Sequence, residues 1–132
     1  MDLPPCTDTI SEYYGVPRII IEAIAEQEGG APGVVAHNNN GTTDVGVMQI
    51  NSAWFEPNNP VDLPARGITL ERVRDNACLN IAIGTWIFEQ YYHQMDGDLG
   101  RALAAYNAGP GNWQAGVDYA RSVSVKLWKR LN

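Results

Sequence analysis

The feature that most constrains this chain is a glutamate at the end of an apolar helical stripe. In residues 18–28 the side chains of Ile21, Ile24, Ala25 and Glu28 recur at i, i+3, i+4 and i+7, the spacing of one helix face. Gly29-Gly30 follows and stops the helix. A carboxyl group placed there sits against apolar packing, and burial disfavours its charged form. The negative end of the helix dipole acts in the same sense. Glu28 is therefore a candidate for an acid that stays protonated near neutral pH, as a proton donor to a leaving oxygen must be. The plain alternative is a glutamate held in a buried ion pair or turned outward. Glu22 and Glu26, four apart on another side, read as a solvated face whose like charges repel slightly.

The rest of the chain predicts further helices around one small extended region. Thr9-Ile10-Ser11-Glu12 reads as a capping box, with Thr7 or Thr9 capping a short helix that ends near Gly15. Pro17 stands where a first-turn proline is tolerated. Residues 34–47 look extended, and Asn38-Asn39-Asn40-Gly41 supplies the turn chemistry of an irregular hairpin. Residues 48–55 predict a short helix. Residues 57–67 hold three of the eight prolines and predict a long loop. Thr69 caps another short helix. Asp75 or Asn76 starts a long one, on which Cys78, Ile81, Ala82, Thr85, Trp86 and Glu89 recur at helical spacing, ending before Asp96-Gly97. Asp98 caps the next, over 99–107, and Gly109-Pro110-Gly111 terminates it. A final helix runs from about Trp113 to Leu131, where Lys126, Lys129 and Arg130 suit the helix dipole. No repeat or linker interrupts the pattern. The expectation is one domain, 1–132, of the α+β class, mainly α.

Bulk properties exclude several function classes. The net charge of −6 opposes nucleic acid, whose phosphates need basic patches. No apolar run approaches the roughly 20 residues of a membrane span. There is no phosphate-cradling GxxxxGK or GxGxxG. His37 and His93 are far apart and no CxxC occurs, so no metal site or cofactor is expected.

Two further segments carry a resemblance. Gly46-Val47-Met48-Gln49-Ile50-Asn51 resembles the glycine-apolar-methionine-glutamine segment lining the sugar cleft of the lysozyme-like lytic transglycosylases, the SLT domain family. Ala105-Tyr106-Asn107-Ala108-Gly109-Pro110-Gly111, followed by Tyr119 and Val123, resembles their second motif. With Glu28 the matches lie in family order across residues 14–123. The resemblance implies a lysozyme-like fold with a small hairpin beside the cleft. It also implies cleavage of the MurNAc–GlcNAc β-1,4 bond of peptidoglycan strands, leaving 1,6-anhydro-MurNAc ends.

The same resemblance implies roles for individual residues. Glu28 would be the general acid and then the base. Met48 and Gln49 would contact the bound sugar, Tyr106 would hydrogen-bond near the Glu28 carboxyl, and Asn107 would help shape the cleft. Each has a plain alternative: Met48 as core filler, Gln49 satisfying a backbone group, Tyr106 as a buried aromatic with a satisfied hydroxyl, Asn107 as a helix cap. One departure stands out: the family's usual serine after the glutamate is Gly29 here. Asp44, in Asn40-Gly41-Thr42-Thr43-Asp44-Val45-Gly46, resembles the second carboxylate of animal-type lysozymes. It is a possible partner for Glu28 in a retaining hydrolase, the pairing for which lysozyme is the standard case. Its alternative is a hydrogen-bonded turn residue.

Cys6 and Cys78 are either two buried thiols or, as an exported member of such a family implies, one disulfide. Residues 1–5 carry no basic or apolar leader, so a periplasmic or secreted setting presumes a removed leader, and a cytoplasmic start is equally permitted. Short members of the family often accompany secretion, conjugation or pilus machines, a context carried by analogy alone. A non-catalytic peptidoglycan-binding module, using Trp54, Trp86 and Trp113, is the non-enzyme reading. A structural adaptor of an envelope machine is the third.

Overall fold

In the computed structural model, which describes residues 2–132, six helices accompany a three-stranded antiparallel sheet. Helix α1 spans Cys6–Tyr14 and α2 spans Arg18–Glu28. Strands β1 (Val35–His37), β2 (Thr43–Val45) and β3 (Ile50–Asn51) follow, in the order β1-β2-β3. Helices α3 (Leu70–Asp75), α4 (Ala77–Gln94), α5 (Leu99–Ala108) and α6 (Val117–Leu131) complete the chain. This is the mainly helical α+β architecture expected.

Several boundaries follow directly from local chemistry. Helix α2 has the predicted limits, and its inner stripe of Ile21, Ile24 and Ala25 is buried. The side chains of Thr69, Asn76 and Asp98 accept the backbone N–H of Arg72, Leu79 and Arg101, capping α3, α4 and α5. Residues 77–88 of α4 hold no exposed side chain, packed by α1, α3, α5 and β3, which explains the largely apolar sequence of these turns.

Other expectations are corrected. Helix α1 begins at Cys6 behind Pro5 with no side-chain cap, and Thr7 lies buried inside it, so the capping box does not form. Residues 48–55 are not one helix. Ile50-Asn51 pairs with β2 as a third strand, and only Ser52–Phe55 coils, as a short 3-10 turn capped by Asn51. The proline-rich loop contains a 3-10 turn at Pro64–Arg66. A 3-10 segment, Pro110–Gly116, precedes α6, which therefore starts at Val117 rather than near Trp113. Glu22 and Glu26 are not a bare solvated face. Arg130 reaches both, at 3.5 and 2.8 Å, and Arg18 meets Glu22 at 3.2 Å. Arg130 thus clamps α6 to α2 rather than merely facing a helix dipole, and Lys126 adds a bond to Gln27.

Cys6 and Cys78 form a disulfide that ties α1 to α4. Closing a loop of that length contributes about 4 kcal/mol in the chain-entropy view. No helix among the described residues is long and apolar enough to cross a membrane.

Candidate active site

Glu28 is the last residue of α2, and the chain leaves it through Gly29 in the left-handed conformation, φ 68°. The Gly29 N–H bonds to the carbonyl of Ala25, closing the helix. A serine at this position would have to adopt that strained backbone, so the departure from the family pattern matches the local geometry. Gly30 is required for a second reason. A Cβ there would fall 2.0 Å from the carbonyl oxygen of Gly46, so only glycine lets the end of α2 pass against the β2–β3 turn.

That turn, residues 46–49, is the first of the two motifs. It is pinned from behind by Asn80 of α4, which is fully buried. The Asn80 amide donates to the carbonyls of Val45 and Val73, both at 2.9 Å, and its oxygen accepts the N–H of Met48 at 2.8 Å. The sequence reading missed Asn80. Its signal is a polar residue between Leu79 and Ile81 in the apolar first half of the helix, where only a structural hydrogen bond offsets burial.

The turn opens onto a cleft of about 410 Å³ shared by the sheet, α2, α4 and α5. Glu28, Asp44, Gln49, Tyr106 and Asn107 all line it, so the structure brings these five predicted residues together. Met48 is the exception. Its side chain is fully buried and packs on Gly84 of α4, so it does not reach the cleft, and the expected sugar contact is corrected to a core role. Gln49 holds a positive φ of 53°, rare for a residue with a Cβ, and its side chain also donates to the Gly46 carbonyl at 3.1 Å.

The hydroxyl of Tyr106 donates to the Met48 carbonyl at 2.9 Å, joining the two motifs, within reach of the Glu28 charge. The donor to Glu28 is Tyr119 of α6, at 2.5 Å, with its ring stacked on that of Tyr106. Sequence reasoning places Tyr119 only within the second motif. Its place four residues before Val123, on the inward face of an amphipathic helix, was the available signal.

Glu28 titrates far from its usual range. Burial raises its pKa from 4.5 to about 7; the Tyr119 bond opposes this and the charge of Asp44 adds to it. Both tyrosine hydroxyls are pushed well up, by burial first and then by the charge of Glu28, so they remain donors. Asp44 stands mid-strand in β2, opposite Ala36 and Asn51. Its carboxylate accepts the Asn51 amide at 2.9 Å, while facing the cleft. The Thr42 hydroxyl gathers the rest of this wall, accepting from Asn38 and Asn51 and donating to Asn40 at 2.6 Å. Trp54, which the binding-module reading names, also lines the cleft, as do Ile87 and Tyr91, which sequence reasoning missed.

A helical domain with a small sheet and a desolvated glutamate at a polar cleft is of the lysozyme-like class. The chain belongs to the transglycosylase SLT domain family, whose pattern it matches across residues 5–129, and so to the lytic transglycosylases. It is similar to invasion protein IagB of Salmonella typhimurium, 28% identical over 125 residues, covering 94% of this chain and 73% of that protein. It is similar also to protein IpgF of Shigella flexneri, 33% identical over 105 residues, or 79% of this chain and 65% of the relative. A peptidoglycan-binding-like protein of Escherichia coli O157:H7 is 35% identical over 99 residues, 72% of this chain and 55% of its own length.

Proposed function

We propose that this chain cuts the MurNAc–GlcNAc β-1,4 bond of peptidoglycan strands by lytic transglycosylation, with Glu28 as the acid and then the base. The observation that carries this reading is the Glu28 carboxyl at the cleft, held near pH 7 by burial. Protonated Glu28 gives its proton to the glycosidic oxygen as the C1–O bond breaks. The substrate's own N-acetyl oxygen supports the developing positive charge at C1. The Glu28 carboxylate next takes the proton of the C6 hydroxyl on the same sugar, and O6 bonds to C1. The product is a 1,6-anhydro-MurNAc end, and the acid is restored. An attacking group already on the sugar has a high effective concentration. Tyr119 steadies the carboxylate between the two proton transfers. Gln49 and Asn107 offer amides to the sugar, and Tyr106 holds the Met48 carbonyl. No cofactor enters this chemistry.

One observation favours a second reading. Asp44 lines the same cleft and is close enough to raise the Glu28 pKa. Retaining hydrolysis by the pair would follow the two-carboxylate scheme. Mass spectrometry of peptidoglycan digests separates the two. Anhydro-muropeptides from wild type, absent with Glu28→Gln, support the transglycosylase. Reducing ends support the hydrolase, and no soluble product from folded protein leaves only a binding module.

The name of the Salmonella relative, an invasion protein, supports a role in opening the wall locally for an envelope-spanning machine. The disulfide favours an oxidising compartment, the periplasm or the exterior.

A further inference from the structure

Helix α4 borders a second concavity that the proposed chemistry does not use. Ile87 and Tyr91 of α4 face the cleft, whereas Phe88, Glu89, Tyr92 and His93 face a groove of about 400 Å³ on another side of the helix. The α1–α2 junction contributes Tyr14, Val16, Pro17 and Ile20 to its lining, and α5 contributes Leu99. The volume lies in the range of ordinary ligand sites.

The lining chemistry differs in kind from that of the cleft. The cleft presents four asparagines, a glutamine and a threonine, the groups that pair with sugar hydroxyls and amides. The groove presents aromatic and aliphatic surface with one carboxylate, Glu89, bonded to His93 at 2.6 Å. Its rings are held in place beforehand. Phe88 stacks on Tyr92, and Tyr14 carries the exposed Tyr13 edge-on. Among the described residues no lysine or arginine lines it. The two nearest in sequence are engaged elsewhere: Arg18 by Asp8 and Glu22, and Arg101 by Asp98 and the Trp113 ring. An aromatic-walled trough with one carboxylate, shared with His93, and no lysine or arginine, on a chain of net charge −6, complements a short apolar peptide segment flanked by lysine or arginine.

We propose that the Tyr14–Ile20–Tyr92 groove is a docking site for an apolar segment with basic flanks, belonging to a protein partner. The partner's apolar side chains enter between Tyr14, Ile20 and Phe88, and its cation meets Glu89. The site is distinct from the cleft and does not depend on the reaction catalysed there.

The test is amide chemical-shift mapping on the folded 132-residue protein, with two synthetic dodecapeptides of leucine and proline, one bearing lysines and one bearing glutamates. The proposal expects the lysine peptide to shift Gly15, Ile20, Tyr92 and His93 and the glutamate peptide to leave them unmoved. Glu89→Gln should weaken binding about fivefold, the scale of one partly exposed ion pair. Tyr92→Ala should weaken it as well, while Trp128→Ala on exposed α6 leaves it unchanged. Equal binding of both peptides, no binding, or shifts confined to the cleft or α6 overturns the proposal. Groove shifts caused by chitohexaose would overturn it in favour of a glycan site. Shifts that grow with protein concentration alone would overturn it in favour of a second copy of this chain.

Discussion

The cleft and the groove are similar in volume and share one helix, yet they are built for opposite ends. The cleft is walled by a small sheet and its turns, whose side chains are amides and hydroxyls already bonded to one another. Into that polar wall the fold inserts a single carboxyl from an apolar helix end, and desolvation does the tuning. The groove is walled by the junction of two helices and the back of a third, so it inherits core-type residues left uncovered. The contrast is between a place where burial changes a proton affinity and one where it leaves apolar surface free to bind. Tyrosine and glutamate alone do not separate them, since each contains both; the amides of the cleft do.

The sharpest way to break the comparison is Glu28→Gln. Turnover of glycan strands should fall by about a thousandfold, within the usual span for a general acid–base group, with peptide binding in the groove intact. The same change should stabilise the fold, in a pH-dependent way. Because the folded pKa is raised to about 7, the native state binds a proton more tightly than the unfolded chain. Native stability therefore declines as pH rises from about 4.5 toward 7 and stays lower above that, by roughly 3 kcal/mol at most. Glutamine carries no such penalty, so thermal unfolding should favour the variant at pH 8 and show little difference at pH 4. An equal gain at both pH values would contradict the burial of Glu28.

Asn80→Ala is the next largest. It strands one N–H and two carbonyls in the core, costing about 3 kcal/mol in chemical denaturation. In the protein that remains folded, turnover should drop more than groove binding, because the β2–β3 turn belongs to the cleft. Equal losses at both sites would mean that Asn80 supports the fold without positioning the turn.

Smaller, and of opposite sign, are two changes around Glu28. Tyr119→Phe removes the bond that lowers its pKa, so the alkaline limb of the rate profile should move to higher pH. Asp44→Asn removes the charge that raises it, moving the limb to lower pH. Displacement in the same direction for both would show that one of the two does not act on the carboxyl.

Tyr92→Ala should have the least effect on the molecule as a whole. The side chain is exposed, so stability should change by no more than about 0.5 kcal/mol, and turnover of soluble glycan should be unaffected. Weaker lysine-peptide binding would be its main consequence, and altered turnover would show that α4 couples the two concavities.

Much of the fold was legible in the chain because it is local. Helix α2 was bounded correctly because its apolar stripe, its glutamate and its two glycines all lie within 13 consecutive residues. The caps of α3, α4 and α5 were legible for the same reason: a side chain bonds a backbone N–H three positions on. Ile50 and Asn51 were misread because a two-residue strand has no periodicity of its own and is decided by its partner, β2. The clamp of Arg130 on Glu22 and Glu26 is not legible because Arg130 is more than a hundred residues away, whereas the Arg18–Glu22 contact is local.

At the candidate site the same division holds. The sequence by itself determined that a carboxyl would end an apolar helix and that two motif segments would accompany it in family order. Tertiary structure alone decided that Met48 turns into the core and that Tyr106 bonds the Met48 carbonyl. It also decided that Tyr119, 91 positions from Glu28, is the hydroxyl that meets the carboxyl. The reason is physical. Helix stripes and caps arise from neighbours along the chain, whereas a hydrogen-bond partner or a desolvated carboxyl arises from whatever the packed elements bring within a few ångströms.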